Sequence, residues 1–275
     1  MFEVIVVDNG SDDGSRAVAA AAPGVIVVDE PTPGSYHARN AGLRVARGGI
    51  IAFTDSDCAP APDWLEKSVA RLADAPGVAI LAGAIRLFAE ETGAKAGAET
   101  GPDAQAAGAA TPATAAMLYE SVFGFDQQGN AARGVSVTAN WISPASVIRA
   151  AGGFPASLRS GGDFHLSGKI TRAGGVIEYF DRAHVRHPAR ASMGALIEKR
   201  RRVVGGTWAT CGHPLRGGRI AVSAAREALR KTRRALGDDA RPLRERLVVT
   251  GVVYIVLAVT FTELARLGLG GKPLR

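Results

Sequence analysis

An apolar run, Ile50-Ile51-Ala52-Phe53-Thr54, delivers Asp55-Ser56-Asp57 at its C-terminal end. Two carboxylates with one residue between them can meet a single cation, and ligand sites of open α/β sheets lie at such strand ends. Mg²⁺ and Mn²⁺ favour oxygen ligands and are usually held by one or two carboxylates together with substrate phosphates. The chemistry on offer is therefore a Mg²⁺ or Mn²⁺ ion on a phosphorylated ligand, with Asp57 as the metal ligand. Asp-x-Asp is also common in ordinary turns, and the pair by itself leaves both readings open.

The flanking elements read as βαβ units. Glu3 to Val7 is a β-branched run closed by Asp8-Asn9-Gly10-Ser11, a buried strand ending in a polar turn. Ser15 to Ala22 supplies a helix ended by Pro23-Gly24, and Val25 to Val28 a second strand. Ser35 to Ala46 is a helix stopped by Gly48-Gly49, and the Ile50 to Thr54 strand follows. Asp63 can cap a helix from Trp64 to Ala73. Residues 93–114, rich in Ala and Gly without a clear period, read as a flexible excursion of the kind that often serves as a lid. A helix over 115–125, a strand over 136–142 and a short helix over 146–151 come next. Gly162-Asp163 then opens a helix ended by Gly174-Gly175, and Val176 to Phe180 is a further strand.

Composition sets the outer limits. With 275 residues, 47% of them hydrophobic, the chain can bury one sizeable α/β domain plus an appendage. Two cysteines, Cys58 and Cys211, suggest neither a disulfide framework nor a thiolate zinc site and fit a reducing cytoplasm. The first residues read as a strand and not as a signal peptide, so the expectation is a site facing the cytosol. The net charge of +7 is uneven: 14 Lys/Arg against 4 Asp/Glu lie between Lys199 and Arg246, a local excess of +10. That region lacks paired aromatics and any zinc or recognition-helix pattern, so an anionic lipid or acceptor is expected and nucleic acid is not. Residues 247–262 form a run without charge, short of the ~20 residues a membrane span needs. It reads either as a helix packed on the catalytic domain or lying in the membrane interface, or as a tilted span.

In order and spacing, Val4 to Ser15, Ala38-Arg39-Asn40-Ala41-Gly42 and Ile50 to Asp57 resemble the nucleotide-binding half of family 2 glycosyltransferases. The resemblance implies an α/β, GT-A-like nucleotide-sugar-binding fold with a mostly parallel central sheet, followed by a C-terminal helical basic and apolar appendage. The implied domains are 1–190 for the transferase and 191–275 for the appendage. In that family the acid at the Asp8 position reads the nucleobase and the Arg-Asn segment lies near the diphosphate. Asp8, Asn9, Ser11, Arg39 and Asn40 take those roles here, and Asp55 contacts the ribose or a metal-bound water. Asp8-Asn9-Gly10 is also a good plain turn, and Arg39 can be read as a solvated helix residue.

The second half supplies the acceptor side in such enzymes. Ser160-Gly161-Gly162-Asp163 with Arg172-Ala173-Gly174 resembles the segment in which an acidic pair opens a helix, with Gly162 where many members place a Glu. By that resemblance Asp163 is the catalytic base; its other reading is a helix cap. The helix N-terminus favours its ionised form. His187-Pro188 resembles the family's His-Pro segment, whose histidine joins the metal or diphosphate site in some relatives; its other reading is a hydrogen-bonding residue of a polar loop. Thr138 to Trp141 and Trp208 read as acceptor-pocket lining or as core. The implied reaction is a metal-dependent, inverting transfer of a sugar, of the hexosyl type, from a nucleoside-diphosphate sugar to the hydroxyl of a glycan or lipid acceptor. The Ala/Arg/Gly-rich composition points to the cell envelope, and the place expected is the inner face of the plasma membrane. Family members carry one more strand before the Asp8 strand, for which Met1 leaves almost no room, so the sheet is expected to lack it. A non-catalytic, truncated, membrane-associated relative that binds nucleotide without turnover is the alternative.

Overall fold

The structure, a computed structural model, describes residues 1–88, 114–158 and 160–274. In chain order the elements are β1 Val4–Asp8, α1 Ser15–Ala21, β2 Val25–Asp29, α2 Ser35–Val45, β3 Ile50–Thr54, β4 Ala59–Pro60, α3 Trp64–Asp74 and β5 Val78–Phe88. They continue with α4 Ala115–Phe123, α5 Gln127–Ala132, β6 Asn140–Pro144, α6 Ala145–Ala150, α7 Gly162–Arg172, β7 Val176–Pro188, α8 Met193–Thr210, α9 Arg216–Leu236 and α10 Leu243–Gly268. The excursion expected over 93–114 lies, but for Thr114, outside the described residues. Thr114 itself caps α4, its hydroxyl accepting from the Met117 N–H.

By compactness the chain divides into two units, one of residues 1–86 and 126–186 and one of 87–125 and 187–274. Residues 87–88 and 114–125, expected within the first domain, group with the C-terminal helices. In the first unit β1 pairs with β2 in parallel. The second sheet has the order β3-β6-β5-β7-β4, and its β3–β6, β5–β6 and β4–β7 ladders are antiparallel. The α/β class is as expected, but the strand directions differ from a mostly parallel sheet. Parallel neighbours each need a crossover in the same direction. Here β6, arriving after α4 and α5, enters between β3 and β5 running the other way. Within these two sheets β1 is paired only with β2 and β3 only with β6, so each keeps one edge without a ladder partner among the described residues.

Alternation along the strands splits the core between the two sheet faces. Ile80 and Trp141 face Tyr36, Leu43, Phe154 and Leu166, while Leu81 and Ile142 face Trp64, Leu72 and Val185. The strand β5 was passed over in the sequence because its buried start, Val78 to Ala84, reads as a continuous apolar run with no period. Trp141 is wholly enclosed, as are Asn140 and Ile142, so this tryptophan serves the core and not an acceptor pocket.

In the second unit α10 packs on α4, α8 and α9, with Tyr119, Leu196, Ala228, Val252 and Val256 at the centre. The helix is longer than the uncharged run because its charged ends find partners. Glu263 is buried and bonds Arg201 and Arg266. By length and composition alone α10 could cross a membrane.

Candidate functional site

The turn after β1 is built by its own side chains. Asp8 Oδ2 accepts from the Gly10 and Ser11 N–H groups, both at 3.3 Å, and Gly10 takes the left-handed conformation that closes the turn. Asn9 stitches this turn to the loop before α2. Its Nδ2 donates to the Glu30 and Thr32 carbonyls and its Oδ1 accepts from the Gly34 N–H, each at 2.7 Å. Both amide protons are thereby committed, so Asn9 shapes the turn. Ser11 is exposed beside it.

Helix α2 runs back from that loop and carries three side chains of consequence. Arg39 pairs through Nη2 with Asp55 Oδ1 at 2.9 Å, linking α2 to the end of β3, and is therefore not a solvated residue. Asn40 clamps the Phe154 backbone, donating to its carbonyl at 2.8 Å and accepting from its N–H at 2.9 Å. Tyr36 was not singled out in the sequence. It is buried, stacks on Phe154, and lies under the Arg39 guanidinium, 5.7 Å from the ring centre. Its hydroxyl accepts from the Gly162 N–H at 2.7 Å and lies 3.5 Å from Asp163 Oδ1.

This placement explains the departure at residue 162. A Cβ there would sit 2.7 Å from the Cε2 and Cζ atoms of Tyr36, so the ring occupies the space a larger residue would need. Gly161, left-handed at φ 73°, starts α7 and brings Asp163 into its first turn. The Asp163 carboxyl accepts from the Phe164 N–H at 2.9 Å. Burial raises its pKa, outweighing the backbone N–H bonds of Phe164 and Thr138 and the nearby Arg39 charge. Burial thus outweighs the helix N-terminus, and the carboxyl holds its proton more tightly than an exposed aspartate does. Asp55, Arg39, Tyr36 and Asp163 form one chain of contacts across the first unit. Asp57 is exposed two residues beyond Asp55.

His187 lies in the second unit, at the end of β7 and not in a loop. It is buried against the Phe125 ring, with centroids 4.7 Å apart. Its Nδ1 is 2.7 Å from the Pro188 carbonyl oxygen, which can only accept, so Nδ1 is assigned as the donor. The same unit holds a buried carboxylate that the sequence did not reveal. Glu120 is 2.7 Å from Arg190 and 3.4 Å from Lys199.

Residues 1–128 match the sequence model of glycosyl transferase family 2. That match and the relatives below support a family 2 glycosyltransferase. The glycosyltransferase AglE of Haloferax volcanii is 32% identical over 208 residues, which are 74% of this chain and 61% of that protein. The pre-mycofactocin glycosyltransferase of Mycobacterium tuberculosis is 28% identical over 195 residues, 70% of this chain and 38% of that one. The chain thus spans less than two thirds of the length of these relatives. Among solved structures, a mannosyltransferase from Pyrobaculum calidifontis, in complex with GDP-Man and Mn²⁺, gives a TM-score of 0.51 at 20% identity, covering 98% of this chain and 67% of that one. That likeness carries the GT-A-like α/β fold with its C-terminal helical appendage.

Proposed function

We propose that this chain acts as a family 2 glycosyltransferase, moving a sugar from a nucleoside-diphosphate sugar to an acceptor hydroxyl with inversion at the anomeric carbon. The observation that carries the reading is the contact chain from Asp55 through Arg39 and Tyr36 to Asp163. It puts a strand-end carboxylate suited to the donor and a part-buried carboxylate suited to a base in one unit.

Asp163 takes the proton of the acceptor hydroxyl. The oxygen then bonds to the anomeric carbon from the face opposite the diphosphate, whose bond to that carbon breaks, so no covalent enzyme intermediate forms. A carboxyl whose pKa lies above the ordinary value is a stronger base than an exposed aspartate. Arg39, held by Asp55, presents its remaining N–H groups to the diphosphate. Asp8 accepts from the nucleobase, with Ser11 beside it, while Asn9 and Asn40 act by fixing the loops around the donor.

The donor set at the end of β3 fits a hard cation, since Asp57 offers an exposed carboxylate there. Mg²⁺ or Mn²⁺, held by Asp57, would offset charge on the departing diphosphate. The Pyrobaculum protein's GDP-Man and Mn²⁺ support a nucleoside-diphosphate donor and a divalent ion here. The acceptor is a glycan or lipid of the cell envelope, met in the cytoplasm at the inner face of the plasma membrane.

Calorimetry with a panel of nucleoside diphosphates, with and without Mn²⁺, tests the reading. Asp57→Ala should lose the metal-dependent part of binding, and Asp163→Asn should keep it. Equal binding by parent and Asp57→Ala would remove Asp57 from the site. Binding without any transfer would favour the non-catalytic relative.

A further inference from the structure

In the second unit, α9 turns an unusual face outward. Leu215, Val222, Leu229 and Leu236 recur every seven residues and are between 42% and 71% exposed. At about 100° per residue they form one stripe along the helix. Arg219, Arg226 and Arg233 repeat with the same period, Arg230 lies beside them, and all four are exposed. The opposite face is Ala224, Ala228 and Ala235, all buried. The one acid of α9, Glu227, is on the inward side, paired with Lys231 and Arg200. The outward side of α9 therefore carries apolar side chains and guanidinium groups and no carboxylate.

Its packing partner α10 adds a second outward stripe. Leu247, Tyr254 and Phe261, again seven apart, are exposed, with Ile255 beside them, and no charge occurs from Leu247 to Thr262.

We propose that the second unit docks on an anionic lipid bilayer through the outward face of α9, lying in the plane of the surface with the α10 stripe as an auxiliary contact. Leucines of an interfacial helix enter the boundary between headgroups and acyl chains, while arginines stay at the level of the phosphates. A bilayer of anionic lipid satisfies both halves of this face at once. A second copy would set arginine against arginine with no acid to meet either. A nucleic acid would leave the leucines against water or phosphate. The proposal names the element that holds the chain to the membrane surface proposed above and rests on that part of the reading alone. The experiment needs no sugar donor, so its failure is distinguishable from failure of the transfer reading.

The test is co-sedimentation of the full chain with vesicles of phosphatidylcholine alone and of phosphatidylcholine with 30% phosphatidylglycerol. The expected result is binding at least tenfold tighter to the anionic vesicles. Val222→Glu/Leu229→Glu should lose at least tenfold, with an unchanged melting curve because both sites are exposed. Arg219→Ala, Arg226→Ala and Arg230→Ala should each lose about fivefold on anionic vesicles and little on neutral ones. Equal binding to both vesicle types would overturn the proposal, and so would a Val222→Glu/Leu229→Glu variant that binds like the parent. If binding survives in that variant but is lost in Leu247→Glu/Tyr254→Glu, α10 holds the bilayer and the assignment to α9 falls. A concentration-dependent dimer that Leu229→Glu abolishes, without vesicle binding by the parent, would replace the bilayer with a second copy.

Discussion

Gly162→Ala is a single methyl added where Tyr36 leaves no room. The new Cβ would lie 2.7 Å from two ring carbons and 2.9 Å from a third, about an ångström inside ordinary contact. The ring has no easy retreat. It is 7% exposed, stacked on Phe154, and tied by its hydroxyl to the N–H of residue 162 itself. Overpacking of this kind costs about 1–3 kcal/mol, against a gain of up to about 1 kcal/mol from replacing a helical glycine with alanine. Overlap wins, and the net loss expected is about 1–2 kcal/mol. In a Tyr36→Ala background the overlap is gone, so the same Gly162→Ala change should be neutral or stabilising by up to about 1 kcal/mol. Urea unfolding of the four proteins, followed by a probe in the first unit, gives the cycle, and the coupling expected is about 2 kcal/mol. If Gly162→Ala costs the same with and without the Tyr36 ring, the overlap is not what excludes a side chain at residue 162.

Asp163→Asn should abolish transfer yet raise the stability of the first unit at neutral pH. A carboxyl whose folded pKa is raised adds stability below its ordinary value of 3.8, and that contribution is lost as pH rises through the folded value. Thermal melts of parent and variant at pH 7 check this. Glu120 behaves in the opposite sense: burial alone would raise its pKa, but the Arg190 N–H bond and the Lys199 and Arg190 charges outweigh it and lower it. Its contribution is present above the ordinary value of 4.5 and lost as pH falls through the folded value, so melts between pH 3 and 7 should show acid sensitivity that Glu120→Gln reduces. Asn9→Ala removes the partner of the Gly34 N–H and of two carbonyls in the turn, and it should cost about 0.5–1.5 kcal/mol in chemical denaturation and weaken donor binding. Arg39→Lys keeps the charge but loses the fork between Asp55 and the diphosphate, and should raise the donor KM at least tenfold in steady-state assays.

How much of this was legible in the sequence follows the range of the forces involved. The βαβ opening and the Asp55-Ser56-Asp57 strand end are local patterns of period and turn chemistry, and the elements formed where they were expected. The start of α7 at Gly162 was legible too, since its left-handed entry needs only Gly161. Three things were not. The direction of β6 depends on which neighbours it meets, and no local pattern records that. Tyr36 looks like any aromatic on a helix until Gly162, 126 residues away, is brought against it. Glu120 sits in an apolar stretch of α4, and the Arg190 and Lys199 that neutralise it are 70 and 79 residues distant. The departure at Gly162 could be read from one sequence, but its cause needed the fold.

The most direct test of the central claim is transfer itself. Parent, Asp57→Ala and Asp163→Asn are each incubated with nucleoside-diphosphate sugars, Mn²⁺ and a mixture of envelope glycan and lipid acceptors. Release of nucleoside diphosphate is followed, and the anomeric configuration of the product is read by NMR. The account predicts product of inverted configuration from the parent, which chelator removes, and none from Asp163→Asn although it still binds donor. Retained configuration, or full turnover by Asp163→Asn, would contradict it.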